Sequence, residues 1–94
     1  MSDFYSRLAE QDRIKLLEKI LPMEMQLREM AEFCKTAGEF GLNATFTETR
    51  TRLLVERHHL MSGLPSLAAK LSREGQDFLK LLRQNDLKNN SKNP

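Results

Sequence analysis

Residues Thr45 to Gly63, TFTETRTRLLVERHHLMSG, decide the fold class. At about 100° per residue, Phe46, Leu53, Leu60 and Leu64 fall on one stripe of a helix, widened by Leu54 and Met61. Thr45 followed three residues later by Glu48 matches a capping box, in which each side chain satisfies a backbone N–H left open by the first turn. Gly63, with Pro65 behind it, supplies the stop, because glycine accepts a left-handed cap and proline does not continue the ladder. Two charges break the pattern. Arg50 and Arg57 stand in the middle of the apolar stripe, whereas Thr51, Val55 and His59 point to the opposite side.

Upstream, Ser2 to Leu21 reads as helix, with Tyr5, Ala9, Leu16 and Ile20 on one face and Leu8 and Leu17 beside it. Asp12 and Arg13 interrupt that face, so this segment is either one helix or two pieces parted near Glu10 to Asp12, with Asp12 as the second cap. Good helix formers favour the continuous form. Pro22 sets a boundary, since the residue before a proline is pushed out of the helical region; a proline kink in one longer helix is the alternative. Met23, Leu27, Met30, Cys34 and Ala37 then form a core stripe, while Met25 faces elsewhere. GEFGLNA, residues 38–44, reads as a turn-rich connection whose Phe40 and Leu42 tuck onto the core.

Downstream, a last helix is expected from Leu64–Pro65 to about Arg83, with Leu64, Leu67, Leu71, Phe78 and Leu82 inward and Ala68 and Leu79 in support. Gly75 lies in the centre of that stripe, where it costs about 1 kcal/mol against alanine, so something must approach closely there. After Arg83 the composition turns to QNDLKNNSKNP. Residues 1–84 therefore read as one all-α domain, a small antiparallel bundle of about four helices, and 85–94 as a disordered polar tail. No heptad run is sustained enough for an extended coiled coil.

Ninety-four residues limit the chain to one domain with a thin stability margin, so a partner or a second copy is a plausible source of support. Residues 1–44 carry 6 basic and 8 acidic side chains and residues 45–94 carry 9 and 5, so a net of −2 faces a net of +4. That asymmetry is compatible with an acidic partner or nucleic acid at the C-terminal half, and is far weaker than the basic stripe of a committed nucleic-acid binder. One cysteine, Cys34, excludes an internal disulfide and suits a reducing compartment. Neither a signal peptide nor a run of roughly 18 apolar residues is evident, so a cytoplasmic protein without membrane partners is expected.

Catalytic patterns are missing. Gly38 and Gly41 lack the strand–loop–helix setting of a phosphate loop. His58 and His59 are adjacent and diverge by about 100° on a helix, so they do not chelate one metal as an i, i+4 pair would. Cys34 sits on an apolar stripe as a small core residue. No enzyme, cofactor or metal is expected. A helix-turn-helix DNA regulator is the sharper alternative, with Glu29 to Leu60 as helix, turn and recognition helix and FGLN as the turn. With Gly41 as the turn glycine, however, the positions that should be buried fall at Thr47 and Arg50, and the connection exceeds 3–4 residues.

Arg50 and Arg57 admit three roles: snorkelling at the helix margin, pairing with a carboxylate such as Asp12, or serving a contact surface. Arginine beside large apolar side chains is typical of interface hot spots. The leading expectation is a small non-enzymatic protein that binds another protein as inhibitor, adaptor or regulator, through Arg50, Leu53, Leu54, Arg57 and Met61. A homodimer is compatible with this. A DNA regulator ranks second and a self-assembling structural subunit third.

Overall fold

A computed structural model describes residues 7–91, with side chains as far as residue 86. Its elements are α1 (Glu10–Thr36), α2 (Phe40–Met61), a 3-10 helix (Pro65–Lys70) and α3 (Arg73–Ser91). All four segments are helical and no strand occurs among the described residues, so the chain is a small all-α bundle. Its longest dimension, 43 Å, is close to the length of α1 itself, about 40 Å at 1.5 Å per residue.

α1 and α2 form an antiparallel hairpin. Three pairings fix its register: Asn43 Nδ2 donates to the Ala31 carbonyl at 2.7 Å, Arg57 meets Glu24, and Arg13 reaches the end of α2. In α1, residues 13, 17, 20, 24, 31 and 34 are buried and Leu27 is partly so, a spacing of 3 or 4 throughout. The hairpin thus has a short coiled-coil-like seam, with Arg13 and Glu24 occupying two of its inward positions. The main core combines Leu17, Ile20, Leu21 and Met25 with Leu60, Leu67, Leu71, Leu79 and Leu82.

Several expectations are corrected. Pro22 is no boundary: α1 runs through it for 27 residues, the one-helix alternative. Proline deletes only its own N–H bond to the Glu18 carbonyl, and burial of Ile20, Leu21, Glu24 and Met25 around it offsets that loss. The break in the first segment does occur, at extended Ala9, but with no side-chain cap; Asp12 is an exposed acid in the first turn. Tyr5 lies outside the described residues. The methionines are out of phase with the core stripe: Met25 is buried, whereas Met23 and Met30 are exposed.

The capping box is also overturned. α2 begins at Phe40, so Thr45 is interior and its hydroxyl donates to the Gly41 carbonyl one turn back, while Glu48 pairs with exposed Arg52. The connection shrinks to residues 37–39. Gly38, at φ +81°, donates to the Lys35 carbonyl and Glu39 donates to that of Cys34, which is a complete Schellman ending for α1. Phe40 and Leu42 are exposed on the new first turn rather than tucked inward. The stop of α2 is where the sequence places it: Ser62 and Gly63 (φ +76°) make a type II turn closed by the Leu64 N–H on the Met61 carbonyl.

The last segment is two helices instead of one. The 3-10 helix ends at Lys70, and Gln76 Nε2 returns to the Leu71 carbonyl at 2.9 Å, satisfying the break. Ser72 caps α3, its Oγ accepting the Gly75 N–H at 3.0 Å. The close approach expected at Gly75 is the Glu18 side chain. Its carboxylate accepts from the Ser72 N–H at 2.6 Å and from the Ser72 hydroxyl at 2.9 Å, placing a negative charge on the positive end of α3. A Cβ on Gly75 would stand 2.5 Å from Glu18 Oε2.

Gly75→Ala should therefore lower stability, although alanine is the better helix former by about 1 kcal/mol. Displacing the Glu18 carboxylate removes its two hydrogen bonds to Ser72, at about 1–3 kcal/mol, so a net loss of up to about 2 kcal/mol is expected in urea unfolding. An unchanged or higher midpoint would mean that Glu18 moves aside without loss.

Candidate functional site

The polar positions of the helical stripes converge where α3 crosses the hairpin. Arg50 and Arg57 are seven residues apart on α2, so they stack on one face about 10 Å from each other. Asp86 of α3 lies between them. Its Oδ1 accepts from Arg50 Nη2 at 2.8 Å and its Oδ2 from Arg57 Nη2 at 3.0 Å. Arg57 also turns Nη1 toward Glu24 Oε2 of α1 at 3.4 Å, an ion-pair distance without hydrogen-bond geometry. Two cations and two acids from three helices thus close on one another.

Asp12, the sequence's suggested partner, is exposed and belongs to the far end of α1. The signal for Asp86 was weak: one acid in the asparagine- and lysine-rich stretch that reads as tail. In the structure that stretch continues α3 to Ser91.

Glu24 is fully buried, and neither of its oxygens receives a hydrogen bond among the described residues. Burial pushes its carboxyl above the ordinary 4.5, against the pull of the Arg57 and Arg50 charges; the Asp86 charge adds to the rise. Arg13 forms a second buried cationic site. Its Nη1 donates to the Leu60 and Ser62 carbonyls at 3.1 and 3.2 Å, where the end of α2 leaves acceptors open. Sequence reading had Arg13 only as an interruption of an apolar face.

The five residues proposed from sequence separate. Arg50 is an internal ion-pair partner, and Leu53 packs on the core. Leu54, Arg57 and Met61 line an open groove of about 660 Å³ between α2 and α3, together with Val55, His58, Arg83 and Asp86. Val55 and Arg83 are exposed on this groove. His58 and His59 meet edge to face, ring centroids 6.1 Å apart. No group of three or more His, Cys, Asp or Glu is placed to hold a metal ion among the described residues, and none of their helices is long and apolar enough to cross a membrane.

The α1–α2 connection does not have the geometry of a helix-turn-helix. Residues 31 and 43, 24 and 57, and 13 and 60 meet along the hairpin, whereas that motif crosses its helices at about 90–120°.

Asp86→Ala should destabilise the fold by about 1–3 kcal/mol in urea unfolding. Removing one member of a buried pair typically costs about 3–5 kcal/mol, reduced here because Asp86 is a quarter exposed. A variant that unfolds with the wild type would mean that water replaces the acid at no cost.

The Glu24 carboxyl gives a pH dependence of opposite sense to the usual acid. With its folded value raised, the native state holds a proton that the unfolded chain has lost. Its contribution to stability is complete below about 4.5 and is lost as pH rises through the raised value. Stability of Glu24→Gln relative to wild type should therefore increase as pH rises above about 4.5, measured by urea unfolding. A difference that stays flat would place the Glu24 carboxyl in its ordinary range. No protein-family model, no curated protein and no solved structure matches this chain, so its functional reading stands on this geometry.

Proposed function

We propose that the chain is a non-enzymatic protein-binding module, acting on its partner as inhibitor, adaptor or regulator through the α2–α3 groove. The observation that carries this reading is the groove's composition. Leu54, Val55 and Met61 form an apolar wall, and Arg83 and His58 stand at its rim. Arginine next to desolvated apolar side chains is the pairing that dominates binding energy in protein interfaces.

Charge selects among partners. Arg50, Arg57, Glu24 and Asp86 cancel when all four are ionised. Arg83 adds a positive charge beside them. An amphipathic segment with acidic side chains flanking its apolar face suits this site best. Arg57 is held by its hydrogen bond to Asp86, so its guanidinium is already oriented at the groove, which limits the entropy lost on binding.

A photo-crosslinking residue at position 55 should capture a partner from extract that resists nuclease treatment. Leu54→Asp and Arg83→Glu should each reduce that adduct at least about tenfold while leaving helicity unchanged, the usual scale of a hot-spot loss. An adduct that disappears with nuclease would promote the nucleic-acid reading, and undiminished capture by both variants would remove the groove from the proposal.

A further inference from the structure

The hairpin has two flanks, and among the described residues only one is covered. α3 lies on the side of α1 that presents Glu18 and Arg28: Glu18 meets Ser72, and Arg28 lines a small cavity with Leu81, Gln84 and Asn85. Phe33 and Met30 stand about 140° and 200° around α1 from Arg28. On their flank Met30, Phe33, Cys34 and Phe46, together with Gln26 and Glu29, open onto a cavity of about 350 Å³. Leu42, one turn before Phe46, and Met23, seven residues before Met30, extend the same flank in both directions.

These side chains are exposed to an unusual degree: Phe33 by 75%, Leu42 by 51%, Met23 by 50% and Met30 by 39%. α2 contributes little charge beside them, since Glu48 is the one ionisable side chain from Phe40 to Thr49. An apolar patch of a few hundred Å² on one face of a small chain is often a functional contact surface. We propose that this flank seats a second copy of the chain, the two hairpins packing face to face about a two-fold axis into a four-helix layer.

The area favours a second copy. With each side chain contributing on the order of 200 Å² when fully exposed, the four supply roughly 400 Å² of apolar surface per chain. A standard interface buries about 800 Å² per partner, and in homodimers about 65% of it is apolar. The flank therefore provides most of the apolar area that one half of a stable dimer needs. Isologous packing uses the same side chains twice, so no second complementary surface has to exist elsewhere. The spacing is suitable as well: Met23 and Met30 are seven residues apart beside the seam already used by α2, and Phe33 follows one turn on. The α2–α3 groove shares no lining residue with this flank.

The test is the mass of the full chain in solution, by sedimentation equilibrium across a range of concentrations, for wild type, Phe33→Glu, Met30→Glu and Leu54→Asp. Wild type and Leu54→Asp should be dimeric at micromolar concentration. Phe33→Glu and Met30→Glu should weaken dimerisation at least tenfold while their circular-dichroism spectra remain helical. Either flank variant suffices if the other fails to fold. A wild-type chain that stays monomeric up to several hundred micromolar overturns the proposal and leaves the flank to a different protein. A dimer that persists in both flank variants, or that Leu54→Asp dissociates, overturns it too by placing the interface elsewhere.

Discussion

One carboxylate between two arginines sets the position of α3. Arg50 and Arg57 are separated by about two helical turns, so only an acid midway along that span can reach both. Asp86 has a short side chain and reaches both only in one axial position of α3. A purely leucine-lined contact would accept a slide of one turn at small cost, because leucines repeat along both helices. An ion pair with buried members does not, since each step away leaves a charge uncompensated. At the other end of α3, Glu18 caps Ser72. The helix is therefore located by carboxylates near both ends, with Leu79 and Leu82 filling the space between.

The same design explains how much of the fold was legible. All-helical content, the stop at Gly63 and the crowded site at Gly75 follow from local rules of glycine conformation and helical period. The two arginines on an apolar stripe also stood out, together with the requirement for a counter-charge. The identity of that charge did not. Asp86 lies in QNDLKNNSKNP, whose composition is that of solvated chain. What makes the first part of this stretch helical is tertiary, namely the two arginines waiting on α2. A local reading has no access to that term.

The remaining misreadings share a physical cause, which is that side chains have more than one way to satisfy a backbone. Threonine followed by glutamate makes a capping box only where the helix starts. In TFTETRT the hydroxyls of Thr45, Thr49 and Thr51 instead donate to carbonyls one turn back, at 2.9–3.1 Å, and the helix runs straight past them. Pro22 is tolerated for a related reason: one absent N–H in 27 residues is a small loss when the turns around it are buried. The start of α2 was hidden because its N-cap residue, Glu39, makes no side-chain cap hydrogen bond.

The distribution of polar and apolar residues is inverted relative to what monomer stability alone would favour. Arg13, Glu24 and Arg57 occupy buried positions, while Phe33, Leu42, Met23 and Met30 stand in water. Exchanging such ion pairs for packed apolar groups is often neutral or stabilising, so the ionic seam is a poor means of holding a small fold together. It does, however, withhold the most adhesive residues from the hairpin's own interior. α1 then has a polar-interrupted seam facing its partner helix, and exposed apolar side chains left over beside it. Placing specificity inside and adhesion outside allows the hairpin to close in one register before its outer flank meets anything else. A chain with the opposite arrangement would bury its methionines and phenylalanines on folding and have nothing left for assembly.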